Sequence, residues 1–453
     1  MYYYTTYCNN LDLFTLATRY KENYELIALF DKAYKEDRDV AIMNLLYILD
    51  IREGKGERRI FKILFHHLCS INKALAKKVL YLISDLGRYD YILFTEGTNL
   101  WKETINIIKS QLESDLNNEH PSLLAKWMPS VRTHNINNPM AIKIASDLGI
   151  NIKEYRKALT NLRNKLKIVE LNLTNKDYDS INYENVPSVA MLRYNNAFIK
   201  HDEKRFIEYK ESLKKDNKKI NTSVLAPYQI IKEAIKTNSD KELVNELWKN
   251  QKDVIDGDDQ NVLVVADTSG SMFSDNNLPI STALALAIYI AERNKGIFHN
   301  TFINFSDNPT FQYLNGESLS EKLSRINYDN WTGTTNIDRA LEMILEATKK
   351  SDKSECPSHL VIISDMEFDG SIYKKPNYKH WKEKYEKFNL TMPKVIFWCV
   401  SPNQKGVPVT RHENNTCIVS GFSQNIFKEI LNIEKYNPCD AMLEILEKYR
   451  KYL

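Results

Sequence analysis

Residues 261–272 read NVLVVADTSGSM, and no other stretch constrains the fold as tightly. The first six residues form an apolar, β-branched run of the kind found in a strand covered on both faces. The run stops at Asp267, after which oxygen-bearing side chains recur at alternate positions: Asp267, Ser269 and Ser271. Gly270 relaxes the backbone between the two serines, so the loop can curl until all three point inward. A carboxylate and two neutral hydroxyls at the carboxyl end of a buried strand suit a hard divalent cation such as Mg²⁺. Open α/β sheets place their ligands at strand ends of this kind.

The rest of the chain after residue 260 fits the same architecture. Strand patterns at 261–266, 297–305, 310–314, 359–364, 394–400 and 416–419 alternate with helical patterns at 278–294, 318–326, 337–350, 377–389, 423–433 and 438–451. Such alternation predicts a doubly wound, mostly parallel sheet with helices on both faces. Two of its segments extend the oxygen pattern. Residues 331–341 (WTGTTNIDRAL) set Gly333, Thr334 and Thr335 just before a helix, and residues 359–369 (HLVIISDMEFD) are a second buried-strand run ending in Asp365. Asp267, Thr335 and Asp365 therefore fall on one edge of the predicted sheet. The plain alternative is a capped strand end in an ordinary doubly wound domain.

Asp267, Ser269, Ser271, Thr335 and Asp365, in this order, resemble the metal-ion-dependent adhesion site of von Willebrand factor A domains. The resemblance implies that Ser269, Ser271 and Thr335 ligate the ion directly, with Asp267 and Asp365 holding it mainly through waters. The ion is expected to be Mg²⁺, with Mn²⁺ or Ca²⁺ as substitutes. A position left to exchangeable water can be taken by an Asp or Glu of a partner, which makes the site a metal-bridged docking point. Glu367 and Asp369 follow closely and either bias the site electrostatically or are solvated loop acids.

Residues 1–250 read almost wholly as helices, with runs at 59–68, 74–82, 101–116, 141–148, 155–166, 205–213 and 243–248. Short links between them suggest an all-α solenoid or irregular helical array. Residues 251–260 (QKDVIDGDDQ), acidic and containing a glycine, mark the expected linker, giving a helical domain at 1–250 and an α/β domain at 261–453. The front is mildly basic: 39 Lys and Arg less 32 Asp and Glu is +7 for 1–250, and 23 less 27 is −4 for the remainder. Two stretches concentrate cations. Residues 50–61 (DIREGKGERRIF) carry Arg52, Lys55, Arg58 and Arg59 around a glycine turn that opens a helix, a geometry able to hold phosphate on backbone amides. On residues 154–167 and just before, Lys153, Arg156, Arg163 and Lys167 can share a helix face suited to RNA phosphates. A solvated helix–helix corner and a solvated helix face are the ordinary alternatives.

Residues 186–198 (VPSVAMLRYNNAF) are similar to a segment of TROVE-type modules, the HEAT-like helical rings that in the Ro autoantigen precede a von Willebrand A domain; Tyr194 stands where that pattern has Asn. A second resemblance covers nearly the full chain. IREGKGER, LGRYD, AKWMPS, NYENVPSVAMLRY, KKINTSVLAP, ADTSGSM and ISDMEFD resemble a family of plant, fungal and large-DNA-virus proteins with the same two-part layout. The TROVE likeness implies binding of structured or single-stranded RNA.

Six cysteines lie scattered without C-x-x-C spacing, which favours buried free thiols over disulfides. No leader pattern opens the chain and no run approaches the ~20 apolar residues that span a bilayer, so a soluble, cytoplasmic protein is expected. No His is paired with a nucleophile and a carboxylate in motif context. A metal-dependent phosphoesterase is the enzymatic rival, but an aspartyl-phosphate enzyme usually needs a second carboxylate where Ser269 stands. The reading is thus a non-enzymatic, Ro-like ribonucleoprotein component that binds RNA in front and an acidic protein partner at the metal site. The alternative is a protein-interaction scaffold without RNA.

Overall fold

The alternating patterns after residue 260 fold into six strands: β1 (Val262–Asp267), β2 (Thr301–Phe305), β3 (Thr310–Tyr313), β4 (His359–Ser364), β5 (Lys394–Cys399) and β6 (Thr416–Ser420). They form one sheet in the order β3-β2-β1-β4-β5-β6. Every neighbouring pair is parallel except the β2–β3 hairpin at one edge. All residues of β1, β2, β4 and β6 are buried, whereas β3, on the edge, is partly exposed. That contrast is what a doubly covered parallel sheet with an antiparallel rim strand produces. The computed structural model describes residues 3–133, 136–215, 220–222, 225–253, 261–305, 309–326, 337–351, 355–366, 378–402, 404–422, 425–431, 433 and 436–453.

The helices in chain order are α1 (Asn9–Leu16), α2 (Asn23–Glu36), α3 (Arg38–Leu49), α4 (Arg58–Ile71), α5 (Lys73–Leu86), α6 (Trp101–Leu116), α7 (Leu124–Trp127), α8 (Pro139–Asp147), α9 (Ile152–Lys165), α10 (Val169–Asn175), α11 (Ser188–His201), α12 (Glu203–Lys215), α13 (Pro227–Ala234) and α14 (Lys241–Lys249). After β1 come α15 (Ser274–Arg293), α16 (Leu319–Arg325), α17 (Ile337–Lys349), α18 (Tyr378–Glu386), α19 (Asn425–Leu431) and α20 (Pro438–Leu446). The chain thus joins a helix-rich N-terminal region to a parallel-dominated mixed sheet. Among the described residues, no helix is long and apolar enough to cross a membrane.

Contacts divide the chain into two compact units. One holds Met1–Tyr47, Glu53–Lys55 and Leu213–Leu453, and the other holds Ile48–Arg52 and Gly56–Ser212. This division does not coincide with the junction that composition suggests at 251–260, of which residues 254–260 lie outside the described ones. The physical reason lies in the front helices themselves. In α1, seven of the eight residues are buried, including Leu11, Leu13, Phe14 and Leu16, and the helix packs against β6 and α20. A helix buried on all sides has to be surrounded, and here β6 and α20 help to surround it. Helix α13 lies along α15 in the same unit.

Within α15 the regular helix starts only after a turn in which Asp275, Asn276 and Asn277 are all left-handed, with φ of 49°, 56° and 61°. Asn and Asp tolerate that conformation best after glycine. Pro279 then falls at the start of the regular helix, where its missing N–H costs nothing. Residues 278–291 are all buried, so α15 is the central helix on the sheet.

The second unit is helical apart from a small antiparallel pair at 132–133 and 136–137. Phe61 stacks on Phe65 at 5.2 Å and Tyr91 on Phe94 at the same distance, which gives α4 and the 3₁₀ turn after α5 a shared aromatic core.

One core residue of the first unit predicts a pH response. His359, 3% exposed at the head of β4, has Nδ1 2.8 Å from the Ser358 hydroxyl, and Nε2 is buried without a partner among the described residues. Burial, aided by the Lys394 charge, pushes its pKa down to about 4. The native state therefore refuses a proton that the unfolded state accepts near the ordinary value. Stability is full above about pH 6.5 and falls as pH drops toward 4, by about 2–3 kcal/mol. His359→Asn keeps a polar group near the Ser358 hydroxyl and should flatten that part of the denaturation-midpoint profile between pH 7 and 5.

Candidate functional site

The carboxyl ends of β1 and β4 lie side by side, with Ala266 paired to Ile363 in parallel register. One residue further on β1 and two on β4 stand Asp267 and Asp365, which are 1% and 5% exposed. Both oxygens of Asp267 are engaged. Oδ1 accepts the Ser269 N–H at 2.9 Å and Oδ2 accepts the Ser364 hydroxyl at 2.5 Å. Burial and then the neighbouring Asp365 charge push the Asp267 carboxyl up to about 6, against the pull of these hydrogen bonds. Two acids packed this closely are best satisfied by a proton or a cation.

Beyond Asp267 the chain enters a short 3₁₀ turn, Gly270–Phe273. Ser269 is half-buried, Ser271 is exposed, and their hydroxyl oxygens are 3.1 Å apart. Adjacent ligands of an octahedral Mg²⁺, each at about 2.1 Å, are separated by about 3 Å. The donor chemistry and this spacing fit a small hard cation. Among the described residues, no cluster of three or more His, Cys, Asp or Glu side chains could hold a metal, so hydroxyls would have to contribute.

The structure brings together Asp267, Ser269, Ser271 and Asp365. Thr335, together with Gly333, Thr334, Glu367 and Asp369, lies outside the described residues. Sequence reading missed Ser364, the only hydroxyl in the buried run LVIIS. Its oxygen donates to Asp267 and accepts the Met366 N–H at 3.0 Å, while Met366 itself is left-handed at φ 61°. A non-glycine residue held there stores strain of the kind found at functional sites. Tyr20 was missed as well. Its hydroxyl donates to Asp275 at 2.5 Å in the left-handed turn that follows Ser271. No local pattern could have joined residues 255 positions apart.

The cations proposed for RNA fare unevenly. Lys55 is 7% exposed, and its ammonium donates to the Phe14 carbonyl and, at 2.7 Å, to the Ser420 hydroxyl. It is an internal strut between α1 and β6, out of reach of a phosphate. Arg163 donates to the carbonyls of Ala125 and Met128 at 2.9 and 2.7 Å and to Ser130 Oγ at 2.8 Å. Its burial lowers its pKa. This guanidinium clamps the AKWMPS turn and offers nothing to a ligand. Lys167 does not share the face of α9, because the helix ends at Lys165 and Lys167 is left-handed at φ 49°. Arg52 donates to the Asp85 carbonyl. Arg58 pairs with Asp90 at 3.0 Å and lies over the Tyr91 and Phe94 rings. Arg59 is half-buried, whereas Lys153 and Arg156 are exposed.

Residues 261–449 match a domain of unknown function, DUF7788, and residues 70–271 match another, DUF2828. The two matches overlap over 261–271, the strand and loop that carry Asp267, Ser269 and Ser271. The chain is also 29% identical over 496 aligned residues to "Uncharacterized protein L728" of Acanthamoeba polyphaga mimivirus, covering 97% of this chain and 84% of that protein. These matches ally the chain with proteins of unknown function that include one from a large DNA virus.

Proposed function

We propose that the sheet edge of the first unit is a divalent-cation site of the von Willebrand A type, at which an acidic side chain of a protein partner docks. The observation that carries this reading is the buried pair Asp267 and Asp365, ending adjacent parallel strands beside two hydroxyls 3.1 Å apart. The strand order β3-β2-β1-β4-β5-β6 supports it, since doubly wound sheets of that order hold ligands at the carboxyl ends of their strands. Ser269, Ser271 and, by the sequence pattern, Thr335 supply neutral oxygens. Such a set leaves the ion short of negative charge and receptive to a carboxylate from outside. Mg²⁺ suits the spacing best, with Mn²⁺ or Ca²⁺ able to substitute. The reading is non-enzymatic. Asp267 could act as a nucleophile only by giving up hydrogen bonds from Ser269 and Ser364, and hydroxyl ligands make poor general bases.

Calorimetric titration with MgCl₂ tests the site directly. One ion per chain is expected, with Ser269→Ala or Thr335→Ala weakening it about tenfold, the equivalent of about 1.4 kcal/mol. Absence of Mg²⁺-dependent heat in the folded wild-type chain would remove the proposal.

The wider reading, a Ro-like ribonucleoprotein component of TROVE-like architecture, adds RNA at the helical unit. Lys153 and Arg156, exposed three residues apart on α9, favour it. Exchanging both for Glu should weaken binding of single-stranded RNA and flatten its salt dependence by about two phosphate contacts. Unchanged affinity would leave the scaffold without RNA.

A further inference from the structure

The link between α1 and α2, residues 17–22, runs along the carboxyl edge of the sheet within the first unit. It starts at β6, where the Ser420 hydroxyl donates to the Thr15 carbonyl at 3.0 Å near the end of α1. Arg19 then lies 4.6 Å over the ring of Phe422, just past β6. In the loop after β5, the Gln404 N–H donates to Thr18 Oγ1 at 3.3 Å, and the Pro402 carbonyl accepts the Tyr20 N–H at 2.7 Å. The Tyr20 hydroxyl ends the crossing on Asp275, in the loop that follows β1. Strands β1, β4, β5 and β6 are mutually parallel, so these loops leave the same edge and the link is a strap across it.

The loop that the strap reaches after β1 is the one that carries the two serine hydroxyls. Its 3₁₀ turn is closed by the Met272 N–H on the Ser269 carbonyl at 3.1 Å and by the Ser274 N–H on the Ser271 carbonyl. Asp275, Asn276 and Asn277 follow directly, all left-handed, and the buried part of α15 begins at Leu278. L-residues visit that region singly, and a run of three persists only under restraint from its surroundings. Among the described residues, Tyr20 is the only side chain hydrogen-bonded to this run. The Tyr20 residue is 50% exposed, so its ring adds little to the core and its hydroxyl is the part the turn uses.

We propose that Tyr20 is a positioning residue for the cation. The strap holds its hydroxyl on Asp275, the turn stays left-handed, and Ser269 and Ser271 keep their 3.1 Å separation before any ion arrives. The inference rests on the reading of this edge as a cation site, to which it adds a residue from the start of the chain. Tyr20 acts through the loop and not as a ligand: a hydroxyl pair already in place removes the cost of ordering it from the binding step.

Tyr20→Phe deletes one oxygen and leaves the ring. Calorimetric titration of the full-length variant with MgCl₂, beside the wild type, should show affinity weakened about fivefold, the fold-change of one ordinary net hydrogen bond. In chelator, amide hydrogen exchange over residues 271–277 should speed up while the thermal midpoint stays in place. A purely structural contact would do the reverse, lowering the midpoint and sparing the affinity, and that result overturns the proposal. Glycine adopts positive φ without steric cost, so in the Asp275→Gly background Tyr20→Phe should change nothing further. A persisting loss there means that Tyr20 acts by another route and overturns the proposal as well. Equal Mg²⁺ affinity of wild type and Tyr20→Phe removes the role of the strap and leaves the cation site standing. No Mg²⁺-dependent heat from the wild type removes both.

Discussion

Magnesium is expected to raise the thermal midpoint of the wild-type chain and to leave that of Asp267→Asn unmoved. At a thousandfold excess over the dissociation constant, one bound ion contributes about 4.1 kcal/mol. The same substitution should stabilise the cation-free protein. The Asp267 carboxyl is pushed up to about 6 by burial and by Asp365, so the native state prefers it protonated. Relative to an ordinary aspartate, native stability declines as pH rises from about 4 through 6 and stays lower above, by about 3 kcal/mol. Asparagine removes that cost while still accepting the Ser269 N–H. At pH 8, Asp267→Asn should therefore melt higher than the wild type in chelator and lower than it in excess Mg²⁺. A crossing of this kind distinguishes a binding residue from a merely structural one. Parallel losses in both conditions would mean that Asp267 serves the fold alone.

Lys55→Met should lower the stability of the whole chain by roughly 2–4 kcal/mol, because it strips a charged donor from the buried Phe14 carbonyl and the Ser420 hydroxyl. Methionine fills nearly the same volume, so the loss reads the hydrogen bonds more than a cavity. Urea denaturation checks the prediction, with RNA affinity measured on the same protein in native buffer. Affinity should stay at the wild-type level. A fall in affinity with an unmoved denaturation midpoint would restore Lys55 as a phosphate ligand.

The strands were legible because burial on both faces leaves a compositional mark that needs no partner to be recognised. NVLVVAD and HLVIISD could hardly be anything else, and β1 and β4 fall within a residue of where those runs place them. The acids that end them were legible for the same reason, since a charge that interrupts such a run stands out. The basic motifs were misleading because charge spacing reports where a side chain starts and not where its end goes. IREGKGER reads as a phosphate turn until Lys55 is seen reaching β6, and Arg163 reads as part of an open face until its guanidinium meets three acceptors between residues 125 and 130. The long flexible stems of Lys and Arg make either outcome compatible with one local sequence.

Sequence by itself determined the element types, the parallel sheet and the alternate oxygens of Asp267, Ser269 and Ser271, since each depends on periodicities of two or 3.6 residues written along the chain. Only the tertiary structure decided that α1 belongs with the sheet, that Ser364 steadies Asp267, that Tyr20 reaches Asp275 and that Lys55 reaches Ser420. Those four contacts join residues far apart in the chain, with partners chosen by the burial of whole faces. No local pattern carries that information.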